Sequence, residues 1–194
     1  MDYVAELRYA LVFQSLGFAI TVEPLGQKGP DLGVTRDGLS AVVEVTRFRA
    51  MNPGPPEIDG ELLAEYGNPA RDVRKSLRKL ARKFRQLDGG QSIIAVWNDD
   101  DALDDLEVSL AAHELSGGRD TPNSLQFVLY GSSWTLPGRE LLCLPVRDLD
   151  GGVQQWVRDL EMVNVRAAVR SVGNCARESA DLDEICRGGY GGVE

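Results

Sequence analysis

Two carboxylates, Asp31 and Glu44, are the side chains of this sequence best placed to do chemistry. They flank Asp37-Gly38, a dipeptide favoured in two-residue type I′ hairpin turns. With that turn, Arg36 pairs with Leu39, and the same register carried on brings Asp31 opposite Glu44. Alternation puts Leu32, Val34, Leu39, Ala41, Val43 and Val45 on one apolar face. The other face takes Asp31, Gly33, Thr35, Ser40, Val42, Glu44 and Thr46. Like charges directly opposite each other destabilise a sheet, and two close carboxylates resist ionising together. A shared cation removes both difficulties. Oxygen donors of this kind suit Mg²⁺ or Mn²⁺; Mg²⁺ in particular keeps several waters and takes one or two protein carboxylates. A cation so held can polarise a phosphate and activate a water.

Pro30-Asp31, a hairpin, and then Glu44-Val45-Thr46 resemble the signature of the PD-(D/E)xK nuclease superfamily, the restriction-endonuclease-like proteins. The likeness runs from about Met1 to Trp97, as helix, strand, hairpin, helix and strand. It implies an α/β fold, a restriction-endonuclease-like mixed central sheet flanked by helices. It also implies Mg²⁺-dependent hydrolysis of phosphodiester bonds in nucleic acid, with DNA the expected polymer. By the same resemblance Asp31 and Glu44 hold the metal, with the Val45 carbonyl as a third ligand. A first-helix glutamate sometimes joins such sites, and here that residue is Glu6. The family's lysine, two positions after the glutamate, is replaced by Thr46. A threonine hydroxyl can position a water but brings no positive charge. Relatives with a displaced lysine take the cation from the following helix, which makes Lys83 the first candidate and Lys79 the second. Lys28, in the loop before Asp31, is the third. Lys83 and Gln86, within RKFRQL, also match a K-x-x-Q-L pattern seen on this helix in some members. The alternative expectation is a catalytically silent protein of the same fold that binds nucleic acid or a protein partner; a third is a metal-stabilised structural domain.

The elements that position these residues are legible in outline. Residues 2–16 read as a helix in which Val4, Leu7, Leu11 and Leu16 give much of an apolar stripe, with Tyr3, Ala10 and Phe13 beside it, ended by Gly17. A first strand follows at 18–22. Residues 51–68 are rich in Pro and Gly and read as an irregular segment, a flap or an insertion. Residues 69–87 form the clearest helix, with Val73, Leu77, Leu80, Phe84 and Leu87 at steps of 4, 3, 4 and 3. Its remaining circumference carries Arg71, Arg74, Lys75, Arg78, Lys79, Arg82, Lys83 and Arg85 against Asp72 alone. That is a local charge of +7 in a chain of −9, so the remainder carries −16. Arg74, Lys75, Arg78, Lys79, Arg82, Lys83 and Arg85 are the expected nucleic-acid contacts. A solvated charged face is the ordinary alternative. Residues 91–97 read as a buried strand and 103–115 as a helix. The acids between 99 and 105 suit a helix N-terminus rather than a metal. Further strands are expected at 125–130 and 141–146. A final helix is expected at 154–172, with Trp156, Val157, Leu160 and Val163 inward. Residues 1–172 therefore read as one domain and 173–194 as a largely disordered tail.

Composition sets the outer bounds. A chain of 194 residues has the length for a sizeable core. No apolar run approaches the roughly 20 residues of a membrane span, and the N-terminus lacks the pattern of a secretory signal. Cys143, Cys175 and Cys186 are an odd number without metal-ligand spacing, which fits a reducing cytoplasm. The lone His113 argues against a histidine metal site or a Ser-His-Asp triad. The expected partner is nucleic acid and no membrane, with a homodimer or a protein partner left open.

Overall fold

The computed structural model describes residues 3–25, 29–48, 69–84, 90–99, 105–116, 118, 121–132 and 141–169. Six strands form one mixed sheet in sequence order. They are β1 (Ala19–Val22), β2 (Leu32–Arg36), β3 (Leu39–Phe48), β4 (Gln91–Asn98), β5 (Leu125–Ser132) and β6 (Leu141–Pro145). The helices are α1 (Tyr3–Ser15), α2 (Pro69–Lys83), α3 (Asp105–Ser116) and α4 (Gly151–Met162). β1–β2, β2–β3 and β5–β6 pair antiparallel, whereas β3–β4 and β4–β5 are parallel. Parallel neighbours need a crossover, and α2 and α3 lie in those two connections. The chain is thus an α/β protein with a six-strand mixed sheet packed against helices.

The hairpin register follows its turn. Asp37 (φ 55) and Gly38 (φ 78) both take the positive φ that a type I′ turn requires. Pairs run from Arg36 with Leu39 to Leu32 with Val43, as the sequence predicts. The second face of the hairpin is not open, however. α1 and α4 cover one side of the sheet, over Leu32, Val34, Val43, Ile93, Ala95 and Phe127. α2 and α3 cover the other, over Ile94, Val96, Val128 and Tyr130, and Val42 and Phe48 pack into that second core. β4 is therefore buried on both faces, which is why its sequence is continuously apolar.

Two expectations hold only in part. The α1 stripe is not the centre of the buried side: Ala5, Tyr9, Val12 and Phe13 are buried and Ala10 and Leu16 pack against the core, while Val4 and Leu7 are 54% and 60% exposed. α1 is apolar around most of its circumference, so periodicity selects no face. The aromatic residues select it instead. Tyr9 spans the core to donate its hydroxyl to the Val96 carbonyl, and Phe13 packs edge-on against Phe18. The expected helix 154–172 is also broken. α4 starts earlier, where Asp150 accepts from the Val153 amide at 2.8 Å, and stops at Met162 with Val163 extended. Asn164 then accepts from the Ala167 amide at 2.8 Å and starts a separate helical stretch, of which residues 165–169 are described. Asparagine is a strong N-cap residue, and its side chain begins a new helix rather than continuing the old one.

Candidate functional site

β3 outruns its hairpin partner. β2 begins at Leu32, opposite Val43, whereas β3 continues to Phe48 beside β4. In a two-residue hairpin alternate pairs exchange backbone hydrogen bonds, so Leu39, Ala41 and Val43 turn theirs towards β2. Val45 continues that series onto a flank with no strand beside it among the described residues. There the Asp31 carboxylate replaces the missing strand: its Oδ2 accepts from the Val45 amide at 2.7 Å. The Asp31 carbonyl meanwhile accepts from the Glu23 amide at 2.8 Å, which holds the bend against the end of β1. The Asp31 side chain is thus fixed at the residue that follows Glu44. By the same alternation the Val45 carbonyl points to this flank.

The side chains of Val42, Glu44, Thr46 and Phe48 alternate onto the α2/α3 face. Register sets Glu44 beside Ile94 and Thr46 beside Val96 of β4. Glu44 is only 4% exposed and is engaged rather than free; Thr46 is half-buried. A buried carboxylate is costly unless it is paired or coordinated. Carboxylates and a carbonyl are oxygen donors of the type that Mg²⁺ takes. Glu6 belongs to α1, the helix over the Val43 face, and the structure does not gather it with the other two: among the described residues no group of three or more His, Cys, Asp or Glu could hold a metal. Lys28 and the side chain of Lys83 lie outside the described residues, as do Arg85, Gln86, the 51–68 segment and the 173–194 tail.

α2 is built as its pattern predicts. Val73, Leu77, Leu80 and Phe84 are buried against the second core, and Lys75, Arg78, Lys79 and Arg82 are exposed. Arg74, Lys75, Arg78, Lys79 and Arg82 line a groove of about 750 Å³ together with one acid, Glu114 of α3. Glu114 lies 3.2 Å from Arg74 Nε and 3.2 Å from Arg78 Nη2 through separate oxygens. Nothing in the sequence marks Glu114, because an acid on an amphipathic helix normally faces water. His113, beside it, is exposed.

A second polar group escaped sequence reasoning. Asn98 is fully buried at the end of β4 and donates to the Tyr130 hydroxyl at 2.9 Å. Burial pushes the Tyr130 hydroxyl pKa up. Glu44, Ser92, Asn98 and Ser132 are the buried polar or charged residues described. Alternation from Val42, Ile94 and Tyr130 puts all of them on the α2/α3 side. The available signal was their parity along the strands. On the α1 side the same end of the sheet is closed by an Arg47–Asp99 ion pair, by Trp97 Nε1 donating to Asp99 at 3.0 Å, and by Arg8 4.0 Å over the Trp97 ring. Asp99 is therefore committed to Arg47 and Trp97. Cys143 is buried, and burial and Glu161 push its thiol pKa far up, which disfavours the thiolate.

No protein-family model matches the chain, and no curated protein matches it. No helix among the described residues is long and apolar enough to cross a membrane.

Proposed function

We propose that this chain is a Mg²⁺-dependent nuclease of the PD-(D/E)xK type, hydrolysing phosphodiester bonds in nucleic acid, DNA in the first instance. The observation that carries the reading is Asp31 seated on the Val45 amide where β3 leaves its partner strand. The order α1, β1, hairpin, α2, β4 also supports it, being the succession expected of that family. Asp31, Glu44 and the Val45 carbonyl would hold the cation. When bound, it polarises the phosphate and lowers the pKa of a bound water. The Asp31–Val45 bond would hold one carboxylate in place for the metal, and burial would limit the freedom of Glu44. Thr46, two residues on and on the Glu44 face, orients the attacking water. Positive charge for the transition state comes from α2, with Lys83 ahead of Lys79. The groove cations bind the polymer on either side of the scissile phosphate.

The test is cleavage of plasmid and single-stranded DNA in Mg²⁺ and in Mn²⁺, with the Asp31→Ala, Glu44→Ala double variant as blank. Each single variant should fall to the blank. Lys83→Ala should lose about 10²–10⁴-fold, the size of one electrostatic or acid–base contributor. Wild-type activity no greater than the blank with both metals and both substrates sinks the enzymatic reading. Thr46 in the lysine position favours a second reading, a silent member of the same fold that binds nucleic acid through α2. That outcome selects it if binding persists without cleavage.

A further inference from the structure

The groove beside α2 carries a carboxylate that a simple phosphate-binding surface does not need. Glu114 uses one oxygen on Arg74 and the other on Arg78. We propose that Glu114 is a built-in counter-ion of a nucleic-acid backbone site: it occupies a phosphate's place between Arg74 and Arg78 and yields it when the polymer binds. The proposal rests on the nucleic-acid part of the proposed function, and not on cleavage.

The geometry follows from the helix. Arg74, Arg78 and Arg82 stand at four-residue steps, about 6 Å apart along the axis, and so form one line. Lys75 and Lys79 repeat the same step beside them. A straight row of evenly spaced cations matches a polymer of evenly spaced anions better than it matches the irregular charges of an acidic protein. Guanidinium forks donate to carboxylate and phosphate oxygens alike; here Arg78 donates a hydrogen bond to Glu114 and Arg74 meets it as an ion pair. The side chains of Arg74, Arg78 and Glu114 are 41%, 61% and 36% exposed. Ion pairs at such exposure are weak. Glu114 therefore orders the two guanidiniums while the groove is empty, without locking them against exchange. In a chain of net charge −9 it also lowers non-specific attraction for small anions.

The experiment is fluorescence anisotropy of a labelled oligonucleotide, single-stranded and duplex, at low salt in EDTA, which removes any cleavage. Glu114→Gln should bind about three- to tenfold tighter than wild type. Its plot of log affinity against log salt should steepen by about 0.9 for each further phosphate neutralised on duplex. In an Arg74→Gln, Arg78→Gln background, the benefit of Glu114→Gln should shrink to less than about twofold, because the groups that it releases are gone. Asp148→Asn, an equal charge change at another position outside the groove, should leave binding unchanged. If wild type binds and Glu114→Gln binds no tighter, the role of Glu114 is overturned while the nucleic-acid reading stands. If the benefit is equal in the double-arginine background, Glu114 acts only as diffuse charge and the proposal fails. If no variant binds either oligonucleotide, the nucleic-acid reading fails with it. Competition by polyglutamate as effective as by oligonucleotide at equal charge would assign the groove to acidic proteins and overturn the proposal.

Discussion

The two faces of the sheet share the same strands and differ in kind. Against α1 and α4 the packing is aromatic: Phe13 on Phe18 at 5.1 Å, Phe18 on Trp156 at 4.9 Å and Tyr9 on Trp97 at 6.1 Å, all edge-on. β5 makes room for this layer at Gly131, where a Cβ would meet Trp97 ring carbons at 2.6 and 2.8 Å. Against α2 and α3 the core is mostly aliphatic, with Phe84 and Tyr130 set among Val, Leu, Ile and Ala, and it holds the buried Glu44, Ser92, Asn98 and Ser132, with a row of cations on its outer helix. Buried polar groups cost stability unless they are partnered, so their segregation to one side is informative. One face is scaffold. The other is where the fold accepts groups that can do chemistry.

Substitutions should separate the two faces. The largest effect belongs to the scaffold. Trp156 is 1% exposed at the end of the aromatic row, and Trp156→Ala should cost about 3–5 kcal/mol in urea unfolding. A loss below about 1 kcal/mol would show that the aromatic layer does not carry the fold. Next comes Tyr9→Phe, which removes the donor that serves the buried Val96 carbonyl. It should cost about 1–3 kcal/mol by the same measurement, since a buried acceptor loses its partner.

Asp31→Asn tests the opposite side of the comparison. An amide oxygen still accepts from the Val45 amide, so stability should fall by less than about 1 kcal/mol. Mg²⁺-dependent cleavage should fall to the blank in the same preparation. A variant that unfolds instead would assign Asp31 to the scaffold.

The smallest effect is electrostatic and depends on pH. The Arg36 guanidinium, hydrogen-bonded to Asp159, holds that carboxyl below its ordinary value of 3.8. A depressed folded pKa contributes stability that is present above the unfolded value and is lost as pH falls through the folded one. Asp159→Asn should therefore lower the melting temperature slightly at neutral pH, and the gap to wild type should close below pH 3.8. A gap that persists in acid would mean packing, not charge. The effect is small because the pair lies near solvent.

What the sequence determined was local. Asp37-Gly38 admits essentially one turn, and that turn fixes the register along β2 and β3, so the pairing from Arg36 with Leu39 to Leu32 with Val43 was legible in the chain itself. The 4-3-4 spacing of Val73, Leu77, Leu80 and Phe84 likewise marked the buried side of α2, because the other positions there are strongly polar. Where local contrast is weak, the tertiary structure decided. α1 presents apolar residues on nearly every side, and only the reach of the Tyr9 hydroxyl to β4, with Phe13 against Phe18, chose its face. The strand register ends at Leu32 with Val43, and only the start of β2 there, one residue beyond Asp31, turns Asp31 into a cap on the Val45 amide. Glu114 belongs to the same class of result. It lies 36 residues from Arg78 in the chain, and no periodicity within either helix can express a contact made by packing one helix on another.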